Sequence, residues 1–331
     1  MKIQLRLTKE DQSNPLTKNS SYIKALLDRE IEFVQDKEDF FLIHASALDN
    51  NMLQTGRPIA ILERTDSTNI IKKQELSYSN VIGVIKNTIL RPSSLNNEPH
   101  YYGRYHNKLM WDLIPEKNNS PYNIPLTEVN PKLTELELKK VMCGYSFCHY
   151  DKMDIISNIS INFKRDREID LHFAGTTDYG SNIVTSYHRT IALQEAKKLN
   201  QFSAILASGR PIPQKQYFLD LLNSKIVLSP WGHGEACYRD FEALFCGCIL
   251  LKPDSNFVEC WPDIYVNNET YIPCKPDFSD LKEKIEWIKS NWNKLSDFRE
   301  RNMLLVKEAR RPDNFAEHMS EVFNNCFKRI Q

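Results

Sequence analysis

The chain has 331 residues, 41% hydrophobic and 26% charged, and its 43 basic residues balance its 43 acidic ones. This is the make-up of a globular protein with material for a large core, and the length favours two domains over one. It speaks against an extended basic surface for nucleic acid, and no apolar run approaches the roughly 18–20 residues that span a bilayer.

The opening residues, MKIQLRLTKEDQ, lack the apolar segment of a secretory signal. Tyr22–Leu27 has helical spacing, with Ser20 or Ser21 as its N-cap. Phe40–Ala45 and Pro58–Leu62 read as buried strands, the second ending at Glu63-Arg64-Thr65-Asp66-Ser67. Asn69–Leu76 reads as a helix and Val81–Ile85 as a further strand. Strands alternating with helices predict an α/β layer with a parallel sheet. From about Ile89 to Lys140 the chain is rich in Asn, Pro and Tyr, as in Pro92–Asn97 and Pro115–Pro125, and reads as long loops. Cys143, Cys148 and His149 are followed by no second ligand pair at finger spacing, so no zinc site is expected.

A new pattern starts near Asp151. Ile155–Phe163 and Asp170–Ala174 read as strands, and Gly175-Thr176-Thr177 interrupts before a helix at Tyr187–Leu199. Phe202–Ala207 reads as a strand, Gln214–Leu222 as a helix and Lys225–Leu228 as a strand. A glycine-bearing loop and a helix then lead to Cys248–Leu251. Asp263–Val266 and Tyr271–Pro273 add extended pieces, and Leu281–Trp292, Leu295–Ala309 and Ala316–Phe327 read as helices. The run from about 168 to 251 predicts a doubly wound α/β domain. The chain thus divides into an α/β unit at 1–155 and a second at 156–331 that carries the terminal helices. Cys246 and Cys248 lie in apolar runs, as reduced thiols of a cytosolic protein do.

The most informative stretch is Ser229–Asp254, SPWGHGEACYRDFEALFCGCILLKPD. It reads as strand end, loop with Gly232 and Gly234, helix, small-residue turn and strand. That order puts backbone N–H groups and a helix N-terminus at the carboxyl end of a strand, where phosphates are commonly held.

Within it, Arg239-Asp240-Phe241-Glu242-Ala243-Leu244-Phe245-Cys246-Gly247-Cys248 resembles the R-x-x-E-A-x-x-x-G-C pattern of exostosin-like glycosyltransferases. Together with Ser229, Gly232 to Gly234 and Gly247, it is similar to the nucleotide-sugar half of GT-B glycosyltransferases. Phe173-Ala174-Gly175 and the helix bearing His188 and Arg189 resemble the first strand and helix of that half. The likeness covers about residues 168–275. It implies an α/β fold of two Rossmann-like domains facing a cleft, with the N-terminal unit on the acceptor side. The implied activity is transfer of a sugar, a hexosyl or related group, from a nucleotide-sugar to a glycan or glycolipid-precursor acceptor. The alternatives are a non-catalytic carbohydrate- or nucleotide-binding module and a nucleotide-sugar epimerase of the same fold.

Such an enzyme must hold a phosphate leaving group and answer its growing negative charge. Arginine suits this, and Arg239 and Arg189 are the candidates. Gly232 and Gly234 would admit phosphate or sugar close to the backbone. His233 would donate to either, and Ser229 would contact phosphate. Glu242 would accept from the ribose hydroxyls, as the resemblance implies, and Glu235 would reach the donor sugar. Glu235 is seven residues before Glu242, not the eight that separate the two glutamates of many retaining enzymes, so the stereochemistry stays open. Asp66, after a predicted strand, is the candidate general base. His44 and Asp49 end another strand, and His100–His106 would stack on sugars or cover the cleft. No Asp-x-Asp stands in position for a divalent metal, so metal-independent transfer is expected, with arginine and a helix dipole in its place. No cofactor and no nucleic-acid partner are expected. A lipid-linked acceptor would bring this cytoplasmic chain to the inner face of a membrane as a peripheral protein.

Overall fold

A computed structural model describes residues 2–7, 15–101, 104–114, 126–127, 132–156, 159–180, 182–209 and 212–331. The first part runs β1 (Ile3–Leu7), α1 (Pro15–Lys18), α2 (Ser20–Leu27), β2 (Ile31–Phe33), β3 (Phe40–His44), α3 (Asn50–Gln54), β4 (Ile59–Glu63) and β5 (Val81–Lys86). An excursion follows through β6 (Thr88–Leu90), β7 (His100–Tyr101), α4 (Tyr105–Trp111), β8 (Leu126–Thr127) and α5 (Glu135–Lys139). It returns to the sheet at β9 (Val141–Cys143). Among the described residues the sheet order is β2-β1-β3-β4-β5-β9, every pair parallel.

The second part runs β10 (Ile169–Gly175), α6 (Ile183–Lys197), β11 (Ala204–Ser208), α7 (Gln214–Asn223), β12 (Ser224–Leu228), α8 (Tyr238–Phe245) and β13 (Ile249–Pro253). It continues through β14 (Val258–Cys260), β15 (Ile272–Cys274), α9 (Leu281–Ser290), α10 (Ser296–Ala309) and α11 (Pro312–Phe327). Its sheet order is β11-β10-β12-β13-β15, again all parallel. The inner strands β4, β5, β12 and β13 are buried along their whole length. Helices cover both faces of such a sheet, which is why these strands read as continuous apolar runs. Two Rossmann-like layers face each other with the carboxyl ends of their strands, as the sequence leads one to expect.

Several contacts among the described residues join the units. Strands β6 and β14 pair antiparallel, Leu90 opposite Val258 and Thr88 opposite Cys260. Next to them, Arg91 is paired with Asp263 at 2.6 Å. Loops after β4 and β12 also meet, and α11 crosses back onto the first unit. There Phe315 stacks on Tyr22 of α2 at 4.1 Å, and Phe323 meets Phe40 of β3 at 6.5 Å. The last helix of the chain therefore completes the first layer.

Several local expectations change. Asn69–Leu76 is not a helix: turns lead to one 3-10 turn at Gln74–Ser77. The cause lies beneath it. The Glu63 carboxylate takes the N–H groups of Ile71 (3.0 Å) and Lys72 (2.6 Å), and Lys86 Nζ takes the Asn69 carbonyl (2.7 Å). Those backbone groups are no longer available to a helical ladder. Ile155–Phe163 is not a strand either. A 3-10 stretch covers Asp151–Ile156, and Met153 and Ile156, three apart, are both buried in the core. The 89–140 region carries α4 and α5 rather than loops alone. Pro115–Pro125, Tyr102 and Gly103 lie outside the described residues. The N-cap of α2 is Asn19, whose side chain accepts from Ser21 N and Tyr22 N, and β1 is a strand that the pattern did not announce.

Glu63 and Lys86 form an ion pair at 3.0 Å with both side chains fully buried. Removing one member strands the other charge in the interior. Lys86→Ala should destabilise the protein by about 3–5 kcal/mol, read as a lower denaturant midpoint.

Candidate functional site

The order β11-β10-β12 makes a switch point, with a crevice beyond the carboxyl ends of β10 and β12. Gly175 ends β10, and Ser229 follows β12. Asp240, on the first turn of α8, organises the crevice. Its buried carboxylate accepts from Ser229 Oγ, from Tyr265 Oη at 2.6 Å and from the Cys237 N–H at 3.2 Å, and Lys252 Nζ lies 3.2 Å away. Burial alone would raise the Asp240 pKa, but Lys252 and these hydrogen bonds outweigh it and hold it below the usual range. The Cys237–Asp240 pair is a capping box, so the same carboxylate fixes where α8 begins.

Fixing α8 fixes Arg239 and Glu242. Arg239 is buried, donates from Nη2 to the Ala174 carbonyl at 2.6 Å, and lies 5.4 Å over the Phe173 ring. Its Nη1 is buried with no hydrogen-bond partner. Arg189, from α6, donates to the carbonyls of Trp231 (3.1 Å) and Thr176 (3.2 Å). Neither arginine makes an ion pair among the described residues. Burial, and then the charge of Arg239, pull the Arg189 pKa down. Both line a cavity of about 410 Å³ with Gly175, Tyr217, Tyr238 and Glu242. Glu242 accepts from Tyr217 Oη at 2.7 Å. Burial, and then Glu242, push the Tyr217 pKa well up, so the phenol remains a donor.

The glycines around the cavity admit protein groups. A Cβ on Gly175 would sit 2.3 Å from Arg239 Nη2, and one on Gly232 2.5 Å from Arg189 Nη2. Each arginine can lie flat along backbone only because these positions carry no side chain.

Of the residues predicted from sequence, Arg189, Arg239 and Glu242 come together in the cavity lining. The rest lie elsewhere. Ser229 is buried and turned to Asp240. His233 is exposed, its ring edge-on to Tyr179 at 4.7 Å and its carbonyl held by Arg104. The Gly234 backbone packs on the first unit, where a Cβ would sit 1.5 Å from the Asp66 carbonyl oxygen. Glu235, expected at the donor sugar, is fully buried between the units. It accepts from Thr68 N at 3.0 Å and Thr68 Oγ1 at 2.8 Å, and His106 Nδ1 lies 2.9 Å away. The helix N-terminus therefore does not present Glu235 to a ligand; a partner 167 positions away claims it. Asp66 is half-buried on the loop after β4, outside the cavity lining. His44 and Asp49 act as caps, His44 Nδ1 accepting from Ser46 N and Asp49 Oδ1 from Met52 N. In the His100–His106 segment, His106 is buried against Gly232, its Nε2 3.3 Å from that carbonyl. Among the described residues no cluster of His, Cys, Asp and Glu has the make-up of a metal site.

Sequence reading passed over Tyr217, Tyr238 and Asp240. For Asp240 a signal existed, the capping-box spacing from Cys237. Tyr217 and Tyr238 looked like ordinary amphipathic helix positions.

No protein-family model matches the chain, and no curated protein does. Similar solved structures include an alpha-glucosyltransferase in complex with UDP and a 13-mer DNA containing a HMU base. It is 9% identical, the match covers 98% of this chain and 100% of that one, and the TM-score is 0.48. AviGT4, a glycosyltransferase involved in Avilamycin A biosynthesis, is 9% identical over 98% of both chains, with TM-score 0.40. TarM is 11% identical over 86% of this chain and 54% of that one, with TM-score 0.45, and an S. aureus TarM mutant is 12% identical over 87% and 56%, with TM-score 0.46. No helix among the described residues is long and apolar enough to cross a membrane.

For Glu235, burial alone would raise the pKa, but His106 and the Thr68 hydrogen bonds outweigh it and hold it at about 2. That is below the unfolded value near 4.3. The folded state therefore binds fewer protons between these values, and the stabilisation is complete above about pH 5 and lost as pH falls toward 2. The stability gap between wild type and Glu235→Gln should accordingly be larger at pH 6 than at pH 3, measured by urea unfolding at each pH.

Proposed function

We propose that this chain is a glycosyltransferase whose nucleotide-sugar donor places its diphosphate between Arg189 and Arg239. The observation that carries the proposal is the arginine pair itself. Two neighbouring guanidinium groups are buried with no ion-pair partner among the described residues, and there Arg239 Nη1 has no hydrogen-bond partner. Burying an unpaired charge costs several kcal/mol even after relaxation. An anion in the cavity removes that cost, and its position at the carboxyl ends of parallel strands suits a phosphate. Glu242, held by Tyr217, stands on the same wall and accepts hydroxyls of the nucleotide's ribose.

In the proposed reaction an acceptor oxygen bonds to the anomeric carbon as the bond from that carbon to the diphosphate oxygen breaks. The diphosphate leaves with the electron pair and is met by the two arginines, preorganised on the cavity wall. The acceptor's proton passes to a carboxylate on the first unit, and Asp66 is proposed for it. The arginines take the place of a divalent cation, and no cofactor is needed beyond the donor. The acceptor is proposed to be a glycan or glycolipid precursor met in the cytoplasm or at a membrane face. The sequence-based exclusion of nucleic acid rested on net charge alone. A balanced total does not forbid a local basic groove, so net charge does not exclude a nucleic-acid acceptor.

Calorimetry with ADP, GDP, UDP and CDP tests the donor site. At least one should bind below millimolar concentration, and binding by none would sink the proposal. Arg239→Ala should weaken that binding by about 10- to 100-fold, the loss of charge-assisted hydrogen bonds. Glu242→Ala should weaken nucleoside diphosphates while leaving inorganic pyrophosphate unaffected. Turnover of the selected nucleotide-sugar should survive EDTA unchanged; a loss restored by added magnesium would refute the metal-independent route.

A further inference from the structure

The loop Arg64–Thr68, after β4, touches the donor unit at its middle and end, and its start reaches that unit through Tyr150. At its start Arg64 donates from Nε to Tyr150 Oη at 2.8 Å and lies 4.7 Å over that ring. Tyr150 meets Tyr238 edge-on at 5.7 Å, and Tyr238 lines the donor cavity. In the middle, the Asp66 carbonyl packs against Gly234 with no space for a Cβ. At the end, Thr68 gives both its N–H and its hydroxyl to Glu235. From below, Lys86 of the buried ion pair reaches Thr65 Oγ1 at 3.2 Å. The loop is thus clamped between its own sheet and the donor loop. It carries the Asp66 carboxylate, half-buried and without a hydrogen bond or ion pair among the described residues.

Glu235 would not need these partners to hold its own unit together. It is fully buried, and the groups that answer it, Thr68 and His106, both belong to the first part of the chain. A buried carboxylate answered only across the interface sets the register between two loops, because any slip leaves the charge unpaired. We propose that Glu235 is a positioning residue: through Thr68 it holds the Arg64–Thr68 loop, and the Asp66 carboxylate on it, in register with the donor cavity. The inference rests on the sugar-transfer reading above. It assigns the glutamate of the glycine loop to alignment of the acceptor side, not to the donor. Misplacement of a reacting group by about 1 Å costs on the order of 100-fold in rate.

Two measurements on the full chain separate alignment from donor binding and from simple stability. Calorimetry with inorganic pyrophosphate reports the arginine pair. Release of nucleoside diphosphate from a mixture of UDP-glucose, UDP-N-acetylglucosamine, GDP-mannose and ADP-glucose reports turnover, with water as acceptor. Glu235→Gln and Thr68→Val, each shown folded by circular dichroism, should bind pyrophosphate within about twofold of wild type. Their kcat should fall about tenfold or more, and Thr68→Ser, which keeps the hydroxyl, should restore most of it. Unchanged kcat in the folded variants overturns the proposal. Pyrophosphate affinity that falls together with kcat also overturns it and returns Glu235 to the donor site. Should Glu235→Gln fail to fold, the Val and Ser variants of Thr68 decide the matter by themselves. A wild type that binds pyrophosphate but releases no diphosphate from any of the sugars refutes the transferase reading, and the alignment role with it.

Discussion

The second half of the chain is organised around one buried carboxylate. Asp240 receives Ser229 from the end of β12, Lys252 from β13, Tyr265 from beyond β14 and the Cys237 N–H at the start of α8. Four segments are thereby brought to one point at the carboxyl edge of the sheet. Hydrophobic burial stacks helices on strands, but it is not directional and does not fix where a helix begins. Asp240 does fix it. One residue away stands Arg239 and two residues away Glu242, so their place in the cavity is inherited from that anchor.

Carboxylates and guanidiniums are treated differently in this molecule. Glu63, Glu235 and Asp240 are all fully buried, and each is answered by a cation or histidine together with hydrogen bonds. Among the described residues, Arg189 and Arg239 are answered by carbonyl oxygens and by the faces of Tyr179 and Phe173, with no ion pair. An interior that satisfies its anions so thoroughly and leaves two adjacent guanidiniums with no ion-pair partner among the described residues, only the longer-range field of Asp240 and Glu242, has room for an anion that is not part of the chain. Gly175 and Gly232 serve the same end, since any side chain there would displace a guanidinium. The glycine loop therefore shapes the site indirectly, by seating the arginines and the first unit, where its sequence suggested direct contact with phosphate.

Much of the architecture was legible in the chain because parallel strands buried on both faces leave unmistakable apolar runs, such as Ile59–Glu63, Val81–Lys86 and Ile249–Pro253. The failures share a cause. Asn69–Leu76 had the composition of a helix, but Glu63 and Lys86 took its backbone groups. The 89–140 region hid α4, whose Met110 and Trp111 are buried against Val184 and Trp231 of the other unit. The period of a helix is a local property; the surface that makes it worth forming was more than 70 residues away in the sequence.

The sequence by itself determined the α/β class, the strand-loop-helix unit at Ser229–Asp254 and the presence of Arg189, Arg239 and Glu242 at the head of it. The class and the unit follow from hydrophobic periodicity and turn chemistry, which act over a few residues; the three residues stood out only through the resemblance of their segments to nucleotide-sugar enzymes. Only the tertiary structure decided which polar side chains face the cavity. Glu235 and Glu242 share a loop and its helix, yet one is locked against Thr68 and the other lines the cavity. A charged side chain's role is set by the nearest opposite charge or hydrogen-bond donor in space, and for Glu235 that partner is 167 positions away in the sequence.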